Sequence, residues 1–271
     1  MACPIYARYS DEIGHLATVT LPTGTADANN PLANVQTFDP MVVFLTSSSG
    51  TAVDILWDHT SAIDAKLFSL HHYNIPAGTN VRIQRNATDS WATPTMDGDV
   101  VIPTYPQVGL PLPVGVDLTA VTGYDAGGFR YTRLHVPSLA QLVGIGSALL
   151  WNQKRTDLDV QIPALYEEEQ PTVPFRTAYG RRPGYRLGIR LRATPVSFRE
   201  DDAGWASFLA LFRDSGGSYL PFLWWNDPAN SDAALAALSE DRISDQLAEN
   251  VAHTFDGRIE ELPCGLAIPT A

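Results

Sequence analysis

Cysteine is almost missing from this chain: Cys3 and Cys264 are the only two in 271 residues. They show no CxxC spacing and cannot form a zinc site alone. A disulfide between them stays open, because domain termini often lie close together. Long apolar runs are missing as well. Nothing approaches the ~18 residues that a membrane span requires. No apolar signal segment follows Met1, where Arg8, Asp11 and Glu12 soon appear. The expectation is a protein made in a cytoplasm, with no membrane span, that reaches the outside by lysis if it works there. Positive charge is scarce, with 18 Lys and Arg against 30 Asp and Glu and a net charge of −12. Such a surface repels a phosphate backbone, so nucleic acid is not expected as a partner. Charged residues make up only 18% and hydrophobic ones 45%, which argues against disorder and for a real core.

Motifs for chemistry are also missing. No G-x-S-x-G elbow, phosphate-binding loop or dinucleotide fingerprint occurs, and Ser47-Ser48-Ser49-Gly50 reads as a turn. His71 and His72 are adjacent in a predicted strand, so they point to opposite faces and cannot share one ion. Asp97-Gly98-Asp99 offers two carboxylates without the rest of a calcium loop. Asp201-Asp202 is better explained as a helix cap than as a hydrolytic pair. The sequence therefore predicts no enzyme, no cofactor and no metal.

What is present is punctuation. Twenty prolines and twenty glycines separate short apolar runs, the pattern of an all-β sandwich. Predicted strands cover Thr51 to Trp57, Lys66 to His72, Asn80 to Arg85, Phe129 to Val136 and Leu142 to Trp151. Gly144 and Gly146 weaken the last of these and suggest a bulge or a close approach. Tyr185 to Ala193 alternates again, and Pro195 sits where the phase flips. One helix follows from Asp202 to about Ser215, with Trp205, Phe208, Leu209 and Phe212 at i, i+3, i+4 and i+7, and Gly216-Gly217 stopping it. Tyr219 to Trp225 reads as a buried strand, Asp232 to Leu238 as a short helix, and Phe255 to Leu262 as a last strand. The fold class expected is mainly β: a sandwich over 1–151, an extended arm or loop over 152–183, and a smaller α+β unit over 184–271.

Candidate interface residues lie in the second half. Arg186, Arg190 and Arg192 share one face of a strand in an acidic chain. They would attract acidic segments of a neighbour, including Glu167, Glu168 and Glu169 of another copy. Trp224 and Trp225 alternate faces, so on a one-sided sheet at most one is core and the other is free to anchor a partner. Trp57 and Trp205 are read as core. The six tryptophans are also the residue type that stacks sugars.

A resemblance then enters. Asn34 to Trp91 resembles the galactose-binding-like, discoidin-type β-sandwich. The residues that carry it are Asn34 to Pro40, Val53 to Asp58, Leu70 to Ile75, Val81 to Gln84 and the Asp89-Ser90-Trp91 turn. Sugar-binding members need polar and aromatic residues together on loops, and no such set is evident along the chain. The order of the whole is similar to minor tail proteins of long-tailed bacteriophages. There the sandwich precedes a Phe175 to Gly180 type segment, an arginine-alternating strand, an acid-capped helix and the aromatic strand ending Trp225-Asn226-Asp227-Pro228. That resemblance implies a structural component of a tail tip or baseplate in the virion. Its partners would be other tail proteins, with a homo-oligomeric ring or part of one. The alternative is a carbohydrate-binding module that attaches a phage or a secreted enzyme to a cell-surface glycan.

Overall fold

The computed structural model describes residues 5–39, 42–103, 113–158, 160–161, 167–169, 172–174, 184–186, 191–200, 202–216, 220–227, 232–238, 246–248 and 252–261. The early strands are β1 (Ile5–Ala7), β2 (Thr18–Thr23), β3 (Phe44–Leu45), β4 (Val53–Ile63), β5 (Leu67–Tyr73), β6 (Asn80–Asn86), β7 (Met96–Val101), β8 (Val114–Asp117), β9 (Phe129–Val136) and β10 (Gly144–Trp151). After them come β11 (Val160–Gln161), β12 (Glu167–Glu169), β13 (Thr172–Pro174), β14 (Gly184–Arg186) and β15 (Leu191–Glu200). The single helix α1 (Asp202–Asp214) follows, then β16 (Phe222–Asp227), β17 (Asp232–Leu238), β18 (Gln246–Ala248) and β19 (Ala252–Glu261). The chain is mainly β, a sandwich followed by a smaller α+β unit, as its alternating runs predict.

Layers explain the sequence patterns. A five-stranded antiparallel sheet, β2-β4-β9-β6-β7, faces a four-stranded one, β3-β10-β5-β8. Between them lies the main core, with Trp57, Ile55, Phe68, Leu70, Ile83, Leu134 and Leu150 fully enclosed. The four-stranded sheet is covered on its other side too. There Leu67, Leu149 and Trp151 meet Ile5, Ala7, Leu223, Trp225 and Leu235 of a third sheet. That third sheet runs β1-β16-β17-β19-β15-β11, with β12 added beside β15 and β18 beside β19. Its far face takes α1 through Trp205, Phe208 and Leu211, packed against Phe222, Trp224, Leu238 and Ile259. The order is sheet, sheet, sheet, helix.

Helix α1 forms where its apolar spacing predicts, and it ends at Gly216, whose φ of 61° is the left-handed value that glycine takes without strain. Residues 232–238 differ from expectation. The run Asp232-Ala233-Ala234-Leu235-Ala236-Ala237-Leu238 has strong helix propensity but forms β17, paired with β16 and β19. Leu235 enters one core while Ala236 and Leu238 enter the other. Burial on both faces of a sheet outweighs propensity differences of well under 1 kcal/mol per residue.

The division at residue 151 is crossed by the first strand. β1 pairs with β16, setting Tyr6 beside Trp224, and an isolated bridge joins Tyr6 to Arg155. Buried Glu12 ties this segment to the sandwich, its carboxylate accepting from Gly14 N at 2.6 Å, His15 N at 3.2 Å and Leu150 N at 3.3 Å. Within 152–183 the described residues include short strands. β11 and β12 both pair with β15, and β13 pairs with β14. The strand predicted over Tyr185 to Ala193 is described at its two ends, in β14 and β15. Cys3, Cys264 and Arg190 lie outside the described residues.

Candidate functional site

The outer face of the five-stranded sheet carries the most organised polar array. Strand alternation sends Val53, Ile55 and Trp57 inward and leaves Asp54, Leu56 and Asp58 on the outer rows. The register then sets Leu56, Arg133, Gln84 and Asp97 side by side across β4, β9, β6 and β7. The next outer row holds Asp54, His135, Arg82 and Asp99 in the same way. Their side chains link into one chain of contacts. His135 Nδ1 is 2.7 Å from Asp54 Oδ1, and Arg133 Nη1 lies 3.8 Å from the same oxygen. Arg133 Nε donates to Gln84 Oε1 at 2.8 Å, and Gln84 Nε2 donates to Asp97 Oδ1 at 3.0 Å. Arg82 pairs with Asp97 and reaches Asp99 at 3.6 Å.

An aromatic ring sits on this array. Trp91, on the β6–β7 loop, places its ring 4.7 Å from the Arg133 guanidinium and donates Nε1–H to Asp89 Oδ1 at 2.7 Å. The ring is half-buried. The loop is braced at its base: Asn86 Nδ2 donates to Ser90 O at 2.7 Å, and Thr95 Oγ1 donates to Asn86 Oδ1 at 3.0 Å. Asn86 is therefore spent within the fold. Gly123 has φ 85°, and a Cβ there would collide with the Thr95 carbonyl, so the neighbouring loop closes onto this hairpin.

Beneath and beside the array the sheet is stiffened by buried polar groups. Arg85 is fully buried. It donates to Ile63 O at 2.7 Å, Ala65 O at 3.2 Å and Thr132 Oγ1 at 3.2 Å, and it lies 5.2 Å from the Phe129 ring. Burial lowers its pKa to about 10. His59 Nε2 shares the Thr132 hydroxyl at 3.2 Å, and burial, with Arg85 nearby, lowers it to about 4. At the rim, Arg130 grips Asp58 with two 2.8 Å bonds, and this contact, with the Thr60 amide, lowers the carboxyl to about 2. Thr60 carries φ 61°, a costly value for a β-branched residue, held where β4 slips register against β9.

What this array can do is hold a polar, flat-faced ligand. The groups a ligand can reach are the Trp91 ring and the partly exposed Arg82, Asp97, Asp99 and His135, while Asp54 and Gln84 are buried and hold these in place. With Nδ1 turned to Asp54, His135 Nε2 is the ring nitrogen left for another partner. Among the described residues no group of three His, Cys, Asp or Glu is placed to hold a metal ion. No described helix is long and apolar enough to cross a membrane.

The residues singled out in sequence fall elsewhere. Trp224 and Trp225 are both core, each 3% exposed, and neither offers a free aromatic surface. The premise of a one-sided sheet fails because β16 is covered on both faces, so Trp224 faces α1 and Trp225 faces the sandwich. Glu167, Glu168 and Glu169 form β12, and in register Glu168 lies opposite Arg192 of the same chain. Arg186 lies opposite Thr172 in the β13–β14 pair. The side chains of these residues are outside the described set. His71 and His72 are both buried, and His71 Nε2 has no hydrogen-bond partner, with burial lowering its pKa to about 3. Missed in sequence was the array itself. Its one legible signal was the Asp89-Ser90-Trp91 turn, because Asp54, Gln84, Asp97 and Arg133 meet only through strand pairing.

No family model matches the chain, and no curated protein matches it in sequence. Solved structures do. Chitosan-binding module 1 from a chitosanase/glucanase of Paenibacillus sp. IK-5 is 14% identical, with 52% of this chain and 98% of that one covered and a TM-score of 0.38. A fucose binding module of Streptococcus pneumoniae is 11% identical, with coverages of 52% and 95% and a TM-score of 0.38. The family 32 carbohydrate-binding module from C. perfringens NanJ, in complex with galactose, is 9% identical, with coverages of 52% and 98% and a TM-score of 0.36.

Proposed function

We propose that this protein is a non-catalytic carbohydrate-binding module that seats a sugar against Trp91 on the outer face of its five-stranded sheet. The observation that carries the reading is Trp91 itself. A large ring lies half-exposed over Arg133, fixed by Asp89, at the edge of a hydrogen-bonded polar row. Preorganised groups of this kind lose little entropy on binding. The array holds Asp54, Asp97 and Asp99 against Arg82 and Arg133. Acidic groups outnumber the guanidiniums, which favours neutral or amino sugars over sialylated or uronic ones. The names of the similar structures suggest chitosan oligomers, fucose and galactose as first probes.

Tryptophan fluorescence titration and a glycan array test this directly. Binding of a neutral or amino sugar is expected, and Trp91→Ala should abolish it while leaving the melting curve in place. No binding across the array, or undiminished binding by Trp91→Ala, would overturn the reading. A structural place in a bacteriophage tail tip or baseplate, within a virion, is the second reading. The strand pairs β12–β15 and β13–β14, outside the two sheets of the sandwich, are the elements that such a role would use. Electron microscopy of the purified protein distinguishes the two, since rings support the second.

A further inference from the structure

The β6–β7 hairpin carries more on its outward face than the groups beside Trp91. Val81, Ile83 and Val100 enter the main core, so alternation turns Asn80, Arg82 and Gln84 of β6 and Asp97, Asp99 and Val101 of β7 outward. Register pairs Gln84 with Asp97, Arg82 with Asp99 and Asn80 with Val101. Trp91 lies at the Gln84 end, over Arg133, whose Nε donates to Gln84 Oε1. Val101 lies at the other end, 62% exposed, beside the exposed Asn80. A lone valine on a surface needs no explanation. This one closes a row. The Gln84–Asp97 pair and the Asn80–Val101 pair are four residues apart along β6, about 13 Å at roughly 3.3 Å per residue. Arg82 and Asp99 stand between them, with His135 next to Arg82 across β9. β7 is the edge strand, and among the described residues no further sheet covers this row.

We propose that this row is the second half of the sugar site, so that the protein takes a linear, non-anionic oligosaccharide of about three units rather than a single terminal sugar. The inference rests on the carbohydrate-binding reading and adds to it the length and direction of the ligand. A single pyranose ring seated on Trp91 does not reach Val101, whereas a chain about 13 Å long does. Its end rings lay their C–H faces on Trp91 and Val101, and hydroxyls of the middle ring meet Arg82 and Asp99. Charge selects against an acidic chain. The charged groups of the row are the carboxylates of Asp97 and Asp99 against the single guanidinium of Arg82, which is already paired with Asp97. A protein partner needs a larger apolar centre than one valine.

Calorimetric titration with glucose and its β-1,4-linked oligomers of two, three and four units, and with the matching glucosamine series, tests the proposal. Affinity is expected to rise at least about tenfold from one unit to three and to level off at four. Val101→Ser and Asp99→Ala should each remove most of that rise and leave single-unit binding unchanged. Both side chains are more than half exposed, so these variants should keep the parent's melting curve. Leu16→Ser, at another exposed apolar residue outside the hairpin, should keep the rise with length. A Trp91-dependent affinity that is the same for one unit as for three overturns this inference and leaves the carbohydrate-binding reading standing. So does a rise with length that survives Val101→Ser and Asp99→Ala combined. Tighter binding of a galacturonic acid trimer than of the neutral or amino trimer also overturns it. Binding at no length, or binding indifferent to Trp91→Ala, overturns both.

Discussion

β9 and β10 are both eight residues long and belong to the two facing sheets of one sandwich, yet they read differently. β9, Phe129-Arg130-Tyr131-Thr132-Arg133-Leu134-His135-Val136, alternates between enclosed and accessible positions. β10, Gly144-Ile145-Gly146-Ser147-Ala148-Leu149-Leu150-Trp151, is buried from end to end. The difference lies in what covers them. Among the described residues no further sheet covers the outer face of the five-stranded sheet, where Asp54, Leu56 and Gln84 are buried under their own neighbours, and the four-stranded sheet is enclosed between the main core and the third sheet. A strand with one free face can present Arg133 and His135 to a ligand. A strand enclosed on both sides can only hold the layers together, which is why β10 and β16 carry continuous apolar runs.

Truncation in the enclosed layer should cost most. Trp225→Ala empties a site shared by the second and third sheets, and a loss of roughly 3–5 kcal/mol is expected. Denaturant unfolding should stay a single transition with a lowered midpoint. Two separated transitions in the parent protein would break the idea that this seam couples the sheets. Phe208→Ala on α1 should cost at least about 3 kcal/mol, since the ring is fully buried against the third sheet. A loss below about 1 kcal/mol would mean that the helix does not pack there.

Acid offers a sharper comparison, because each sheet of the sandwich holds a neutral buried histidine. Burial lowers His71 to about 3 in the enclosed sheet and His59 to about 4 in the outer one. In the unfolded chain both protonate near 6.5, so below that pH the unfolded state binds more protons than the fold. Stability therefore falls as pH drops from about 6.5, until about 4 for His59 and about 3 for His71. Urea titrations at pH 7 and 4.5 should show His71→Gln with a shallower acid loss than the parent. An identical slope in the two proteins would remove His71 as a cause.

The smallest stability effect is expected on the free face. Trp91→Ala should change stability by less than about 1 kcal/mol, because the ring is half-exposed on a loop, while its effect on sugar binding is complete. A large destabilisation without any binding phenotype would make Trp91 a structural cover for Arg133.

Period-two alternation and turn residues were enough to place β4, β5, β6, β9, β10 and α1 from the sequence, because those signals are local. The 3.6-residue spacing of Trp205, Phe208, Leu209 and Phe212 required a helix with one apolar face, and α1 has it. The six arginines without an acid between 170 and 193 are likewise a property of the chain itself. Tertiary structure decided the rest. It turned the alanine-rich run at 232–238 into a strand, since two covered faces reward Leu235 and Leu238 more than local propensity rewards a helix. It buried both Trp224 and Trp225, because only the layering shows that β16 has no free side. It also assembled Asp54, Gln84, Asp97, Arg133 and Trp91 into one array, residues up to 79 positions apart whose meeting depends on strand order and register. Pairing between distant strands is a non-local contact, and no window of sequence encodes it.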